Sequence, residues 1–238
     1  MQKIIYALWR DPRLESTEFC RRLREEVAPQ LLAQGVHGLT LNLVDDAVQG
    51  GNSPFIAATA PQMEAFVMLW IDSANQAWRQ PYEDIIAAMG GRIAAWVVNE
   101  SRPMRNERFV VAEGERTPGF VQIALFQRPQ RVHREHWLQI WLESHTRVAI
   151  DTQDTFLYAQ NVVERALHFD APAYAAIVEE GFLQAALTDP LVFYGAGSDR
   201  EEYRRRQAEM SASCARFIDG DKLDVMPTSQ YVIKALGC

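Results

Sequence analysis

The chain has 238 residues, of which 48% are hydrophobic and 23% charged. This composition is typical of a folded protein and unlike that of disordered or disulfide-scaffold sequences. Asp and Glu outnumber Lys and Arg by 31 to 24, and the net charge of −7 argues against a partner bound through its phosphates, such as nucleic acid. The length suits one large domain or two small ones.

The cysteines and the N-terminal segment bear on the cellular compartment. Cys20, Cys214 and Cys238 are far apart, so they indicate neither a disulfide framework nor a thiolate metal site. The first apolar run, Lys3 to Trp9, is too short for a signal peptide, and no stretch reaches the ~20 apolar residues that span a bilayer. We therefore expect a cytoplasmic protein with free thiols and no membrane partner.

A charged segment with prolines and glycines, Glu100 to Gly119, separates two apolar-rich blocks. We divide the chain into a unit over 1–100, a linker over 101–118 and a unit over 119–238. The blocks open on similar strands, IIYALWRDP and VQIALFQRP, each ending at a proline.

The first block predicts two helices and four strands. Apolar residues at four-residue spacing predict a helix through Phe19, Leu23, Val27 and Leu31. Strands are predicted over Lys3–Trp9, Leu39–Val44, Ala65–Ile71 and Ile93–Val98, with a second helix over Pro81–Met89, where Pro81 suits the first turn.

The second block repeats this order. Its first helix carries the stripe Trp137, Trp141, His145 and Val148, and its second is predicted over Asp199–Phe217. Strands are predicted over Val121–Phe126, Phe156–Val163, Tyr174–Phe182 and Gln230–Lys234. The order βαββαβ, found twice, predicts an α+β protein of two ferredoxin-like units. We expect their open sheet faces to pack together as an intramolecular dimeric α+β barrel; the alternative is that each unit pairs with another chain, and a homodimer remains open.

Three stretches of the second block resemble the EthD-like family of the dimeric α+β barrel superfamily: VHREHWLQIWLESH (132–145), FLYAQNVV (156–163) and ARFIDGDKLDVMPTSQYVIK (215–234). The first block looks like a diverged copy, with Val27 in the place of His145 and Leu23 in the place of Trp141. The resemblance implies a pocket between sheet and helices for a small, mostly apolar molecule and does not select a reaction.

His145 is the leading candidate for chemistry, because its spacing places it on the apolar stripe that faces the sheet. Spacing alone favours a packed core histidine, whereas the family resemblance favours a general base that burial keeps neutral. Strand alternation puts Asn161 on one face with Leu157, Ala159 and Val163, and Tyr158 on the other. We expect the aliphatic face to meet the helices, so that Asn161 lies near His145 and Tyr158 faces the barrel centre.

The candidate catalytic residues are therefore His145, Asn161 and Tyr158. Aromatic residues around the same block are the candidate substrate-binding residues: Trp137, Trp141, Tyr174, Phe182 and Tyr231. His133 and His136 have no further ligand at a suitable spacing, so we expect no metal.

The sequence favours a small-molecule enzyme without a tightly bound cofactor. We expect proton-transfer chemistry by a cyclase, isomerase or lyase on an apolar or aromatic carbonyl compound, in catabolism or secondary metabolism. His145 would be the base, and Asn161 would position it or stabilise an enolate oxygen. One alternative, implied by the resemblance to this superfamily, is a cofactor-free or haem-dependent oxygenase; binding haem would require His145 to ligate the iron. Another is a non-catalytic, ligand-binding accessory protein.

Overall fold

The computed structural model describes residues 1–50 and 56–237. Eight strands form the wall of the fold, and most are apolar runs buried on both faces. The strands are β1 Gln2–Trp9, β2 Gly38–Leu43, β3 Ala65–Ile71, β4 Arg92–Met104, β5 Phe120–Phe126, β6 Leu157–Ala166, β7 Ala176–Phe182 and β8 Leu223–Lys234.

The helices lie in the connections between the strands. In each half the first helix contains a π-helical stretch, Leu23–Val27 or Gln139–His145. The α-helices are α1 Ser16–Arg22, α2 Ala28–Ala33, α3 Gln76–Ala87, α4 Arg134–Leu138, α5 Thr146–Thr152, α6 Pro190–Phe193 and α7 Arg200–Ala215.

The eight strands close into one antiparallel barrel in the order β1-β3-β2-β8-β5-β7-β6-β4. The first half contributes β4-β1-β3-β2, and the second contributes β8-β5-β7-β6. The two halves join where β2 pairs with β8 and where β4 pairs with β6. Closure leaves no unpaired edge among these eight strands. The expectation of an α+β barrel is confirmed.

Alternation along the strands divides the core into compartments. One set of side chains, including Ile5, Phe66, Trp96 and Ile123, fills the inside of the barrel. The opposite set packs against helices, in one cluster for the first half and two for the second. Each half therefore has its own space between sheet and helices, separate from the barrel interior.

Three predicted element boundaries differ from the structure by five residues or more. Strand β8 begins at Leu223 rather than Gln230, and β4 runs on to Met104, into the predicted linker. Helix α3 begins at Gln76, so Pro81 lies inside the helix and not in its first turn. The preceding residues Ala77 to Gln80 are compatible with a helix, and the proline removes only one backbone donor.

The strand comparison that aligned IIYALWRDP with VQIALFQRP is one residue out of register. It matches Tyr6 with Ile123, yet Tyr6 packs on the helix side and Ile123 inside the barrel. Just after each strand an arginine side chain, Arg10 or Arg128, donates to the carbonyl four residues later. Matching these two arginines pairs Arg10 with Arg128 and not with Gln127, which shifts the alignment of the strands by one residue. A one-residue slip moves every side chain to the opposite face.

Cys20 and Cys214 are free thiols, and Cys238 lies outside the described residues. Among residues 1–50 and 56–237, no helix combines the length and the apolar character needed to cross a bilayer.

Candidate functional site

A cavity of about 270 Å³ lies between the second half of the sheet and its helices. Its walls are largely apolar and aromatic, with a few polar side chains among them. The residues that matter for its chemistry are Gln122 on β5, Trp141 and His145 on the π-helical stretch, Gln153 after α5, Tyr158 on β6, Glu180 on β7 and Cys214 on α7.

His145 is the last residue of its π-helical stretch and is buried. Its Nδ1 is hydrogen-bonded to the Ser213 hydroxyl at 2.9 Å, and the oxygen of that hydroxyl also accepts a hydrogen bond from Arg216 at 2.8 Å. Burial, assisted by the Arg216 guanidinium, lowers the pKa of His145 to about 4. The imidazole is therefore neutral at physiological pH, and it is also a weak base.

Glu180 is a buried carboxyl group in the same cavity. Its Oε2 accepts a hydrogen bond from Gln122 Nε2 at 2.9 Å, and no cation pairs with it within the described part of the chain. Burial raises the pKa of Glu180 to about 7, and the hydrogen bond from Gln122 offsets only part of this rise. A carboxyl group with this pKa is half ionised near neutral pH, which suits it to accept and return a proton.

Three buried polar atoms of the cavity-lining residues have no hydrogen-bond partner among the described residues. They are the indole nitrogen of Trp141 and the side-chain oxygens of Gln122 and Gln153. Buried polar groups are normally paired, and leaving one unpaired costs about 1–3 kcal/mol. Among the described residues, five buried side-chain atoms have no partner, and three of them belong to residues that line this cavity.

Tyr158 completes the polar part of the wall. It is 1% exposed, and burial together with the nearby Glu180 carboxylate raises the pKa of Tyr158 well above its ordinary value. The hydroxyl remains protonated, so it can act as a hydrogen-bond partner but not as a phenolate base.

The expected orientation of strand β6 is wrong. Leu157 and Val163 pack inside the barrel, whereas Tyr158 faces the helices and lines the cavity. Asn161 therefore lies away from His145: its side-chain nitrogen donates to the Ile177 carbonyl and to Glu179, both at 3.1 Å. Both faces of β6 are buried between Tyr158 and Asn161, so no polar face marks the outside.

The predicted aromatic residues lie in four different places. Trp141 lines the cavity, and Trp137 packs behind it, with ring centres 5.1 Å apart, and donates to the Phe217 carbonyl. The other three are elsewhere: Tyr174 in the barrel interior, hydrogen-bonded to Asp224 at 2.5 Å, Phe182 stacked on Phe193, and Tyr231 in the first-half core.

Sequence reasoning missed Glu180, Gln122 and Gln153. A usable signal existed for two of them: Gln122 and Glu180 interrupt the otherwise apolar strands FVQIALF and AIVEEGF, and both strands are buried throughout. A polar side chain in a strand of that kind is rare unless it is paired or functional. Gln153 follows a helix and carries no comparable signal.

The first half provides an internal comparison. In the second half Gln122, Glu180 and Tyr158 are direct cross-strand neighbours and form one row across β5, β7 and β6. The corresponding row across β1, β3 and β2 is Ile4, Leu69 and Leu39. All three are fully buried in the first-half apolar core, together with Leu23 and Val27. The same position in the fold is thus an aliphatic core in one half and a polar-lined cavity in the other.

The sequence matches no family model and no curated protein. Solved structures with a similar fold include that of an anthrone oxidase-like protein, with a TM-score of 0.55 and 8% identity over 100% of this chain and 94% of that one. Another is a provisionally assigned monooxygenase from Lactobacillus acidophilus NCFM, with a TM-score of 0.50 and 10% identity over 99% and 96% of the two chains. At these identities the likeness concerns the fold alone.

Proposed function

We propose that the cavity is the active site of an enzyme that removes a proton from a small aromatic or apolar carbonyl compound. The observation that carries the proposal is the row formed by Gln122, Glu180 and Tyr158, which places a carboxyl group that has no cation partner among the described residues, and a pKa near 7, in a mostly apolar cavity. Burying such a group without a cation destabilises the fold, and the first half avoids that cost by using aliphatic residues at the same positions.

Glu180 is the general base in this proposal. His145 was the candidate base from sequence, but the burial that keeps its imidazole neutral also makes it a poor proton acceptor at neutral pH. A carboxylate with a pKa of about 7 is the stronger base of the two, and it can protonate the product in a later step.

Trp141 and His145 stabilise the anion in this scheme. Removing a proton beside a carbonyl group places negative charge on its oxygen, and the unpaired Trp141 N–H can donate to that oxygen. In this scheme the Ser213 hydroxyl, whose oxygen accepts from Arg216, donates its hydrogen to Nδ1 of His145, so that the imidazole proton lies on Nε2. A neutral imidazole of this tautomer is a second donor. Asn161 has no part in the scheme, because it lies in the barrel interior.

The same proton abstraction serves two reaction classes. The resulting enolate can rearrange, as in a cyclase, isomerase or lyase, or it can react with dioxygen, as in a cofactor-free oxygenase. The fold resemblance to an anthrone oxidase-like protein supports the oxygenase as an equal alternative. Neither route uses a tightly bound cofactor. A haem absorption band in protein purified from haem-replete cells would contradict both routes and would favour a haem-dependent oxygenase.

We further propose that the chain consists of two ferredoxin-like units, over 1–100 and 119–238, joined by a linker at 101–118. The strand orders β4-β1-β3-β2 and β8-β5-β7-β6 support this proposal, as does the π-helical stretch in the first helix of each half. The second unit resembles the EthD-like family in its three motifs, and the first is a diverged copy that has kept the packing without the polar row.

Deuterium exchange tests the proposed activity without knowledge of the physiological substrate. The ring ketone 1-tetralone carries exchangeable hydrogens beside its carbonyl, and NMR follows their replacement in deuterated buffer. We expect the protein to accelerate exchange, with a rate that rises as Glu180 ionises around pH 7. Glu180→Gln should lower the rate by about a hundredfold or more, the usual effect of losing a general base. An oxygen electrode run in parallel separates the oxygenase from the other classes.

Glu164→Gln is the matched control, because Glu164 is an exposed carboxylate on β6 and its loss should leave exchange unchanged. Equal exchange rates in wild type and Glu180→Gln, at equal folded content, would contradict the assignment of Glu180. Binding of ring ketones without any exchange or oxygen uptake would identify the chain as a non-catalytic binding protein.

A further inference from the structure

We infer that one end of the barrel interior is a second binding site, which takes a small carboxylate with an apolar body. This site is separate from the cavity between the second half of the sheet and its helices, and the inference does not depend on the proposed function. It follows from the charges and the unused hydrogen-bond donors that line this end of the barrel.

A cavity of about 330 Å³ lies at this end of the barrel. Strands of both halves line it: β2, β3 and β4 from the first half, and β6, β7 and β8 from the second. The segments that follow β4 and β8 supply the rest of its wall. A ligand bound here therefore contacts both halves of the chain, whereas the candidate active site takes its polar row from the second half alone.

The floor of this cavity is apolar. Trp70, which is 6% exposed, and Leu157 line the cavity and pack with the apolar set that fills the barrel interior. Leu236, from the segment after β8, packs on the same set, so an aliphatic group is accommodated at this position. A cavity of this volume is at the small end of ligand pockets, so it suits an apolar body of about eight carbon atoms.

Two carboxylates at this end of the barrel are already neutralised. Lys3 Nζ lies 2.8 Å from Glu179 and 2.7 Å from Glu100, and Arg102 lies 3.0 Å from the second oxygen of Glu100. Two cations thus balance two carboxylates. This cluster leaves no net negative charge for a cationic ligand to neutralise.

Two further cations line the cavity without a carboxylate partner among residues 1–50 and 56–237. Arg105 is exposed and makes no ion pair or hydrogen bond there, and Lys234 donates only to the Val36 carbonyl, at 2.8 Å. The remaining carboxylate of the wall, Glu113, is exposed and accepts a hydrogen bond from the backbone nitrogen of Ala235. These groups leave an excess of positive charge, for which a carboxylate on the ligand is the complementary partner.

The buried polar wall of the cavity presents hydrogen-bond donors. Gln230 is 6% exposed, and its side-chain oxygen accepts from the Thr117 hydroxyl at 3.3 Å, which leaves its NH₂ group with no acceptor among the described residues. Thr40 is 7% exposed, and its hydroxyl group has no partner in the same part of the chain. Buried polar groups are normally paired. A carboxylate only accepts hydrogen bonds, so it can pair with both of these groups as well as with the cations.

Three compounds with the same eight-carbon chain test the charge preference. Octanoate carries the carboxylate, 1-octanol is neutral and octylamine is a cation, and isothermal titration calorimetry near pH 7 gives their dissociation constants. We expect octanoate to bind at least about tenfold more tightly than 1-octanol, because its carboxylate pairs with buried donors and with cations, and we expect no binding of octylamine. The net charge of −7 attracts octylamine and repels octanoate, so a preference for octanoate reports a local site.

Two substitutions place octanoate at this end of the barrel. Gln230→Glu keeps the shape of the side chain and the acceptor for Thr117 but replaces the NH₂ group with a charged oxygen. Octanoate should then bind at least about tenfold more weakly, while 1-octanol binds as it does to wild type. Arg105→Gln removes an exposed charge and should weaken octanoate binding about two- to fivefold. Arg134→Gln makes the same change of charge at an exposed position outside this cavity and is the matched control, with no expected effect.

Glu180→Gln separates the two cavities. Glu180 lines the other cavity and not this one, so the dissociation constant of octanoate should be unchanged in this variant. Tighter octanoate binding by Glu180→Gln would place the ligand in the cavity of the second half and overturn the inference. Failure of wild type to bind octanoate, equal binding of the three compounds, or an unchanged preference in Gln230→Glu would also overturn it, and each would leave proton abstraction by Glu180 intact.

Discussion

The buried carboxyl of Glu180 makes a quantitative prediction about stability and pH. Its pKa rises from an ordinary value of 4.5 to about 7 in the folded protein. At 1.36 kcal/mol for each pKa unit, this difference corresponds to about 3 kcal/mol of free energy. Because the folded pKa is the higher one, the stabilisation is fully present below pH 4.5 and is lost as the pH rises through 7. The ionised group therefore destabilises the fold in neutral and alkaline solution.

Glu180→Gln removes this dependence while keeping the shape of the side chain. The variant should match wild type near pH 4.5 and exceed its free energy of unfolding by about 3 kcal/mol near pH 8. Urea denaturation followed by tryptophan fluorescence measures the free energy of unfolding at each pH. An equal dependence of this free energy on urea concentration in the two proteins shows that both expose the same surface on unfolding.

The pKa of His145 is shifted in the opposite direction to that of Glu180, and its contribution to stability cancels when the two proteins are compared. Its pKa is lowered from 6.5 to about 4, so its stabilisation is present above pH 6.5 and lost as the pH falls through 4. Both proteins carry His145, and only their difference reports Glu180. Glu164→Gln, at an exposed position, should differ from wild type by less than about 0.5 kcal/mol at every pH. A difference between wild type and Glu180→Gln that stays constant from pH 4.5 to 8 would refute the reasoning.

Four further predictions concern other parts of the molecule. His145→Ala should lower the rate of deuterium exchange by about a hundredfold with ligand binding largely retained, as expected for loss of one donor to the enolate, and a fall in melting temperature alone would point to a packing role. Val27→Ala, at the corresponding first-half position, should cost about 2 kcal/mol in urea denaturation and leave exchange unchanged. Lys3→Met should cost about 3–5 kcal/mol by leaving Glu179 buried without its cation at 2.8 Å, and adding Glu179→Gln should recover part of that loss. A fragment over 117–238 should self-associate in analytical ultracentrifugation, because it lacks the first-half strands that close the barrel; a stable monomer would show that the second half folds alone.

The order of elements could be predicted from the sequence alone, because helical and strand periodicities are local properties of the chain. The stripe through Trp137, Trp141 and His145 correctly predicted a helix that packs its aromatic side on the sheet, and the turn signals correctly divided the chain into its strands. The comparison of the two blocks aligned their first strands one residue out of register.

Only the tertiary structure determined which face of each strand points into the barrel and which points to the helices. Alternation identifies the outside of a strand when one face is polar and exposed, but strands covered on both sides lack that contrast. This is why Tyr158 and Asn161 were assigned to each other's compartments. In a closed barrel covered by helices, only the closure itself determines which face is inside.

The adjacent residues Glu179 and Glu180 show the same limit at the candidate site. In sequence they are two identical side chains on one strand. Glu179 points into the barrel and pairs with Lys3, which lies 176 positions away along the chain. Glu180 points to the helices, accepts a hydrogen bond from Gln122 and acquires a pKa near 7. The sequence determined that two carboxyl groups lie side by side on a buried strand. Only the tertiary structure decided which one is neutralised and which is available for chemistry, because burial and charge pairing depend on residues brought together from distant parts of the chain.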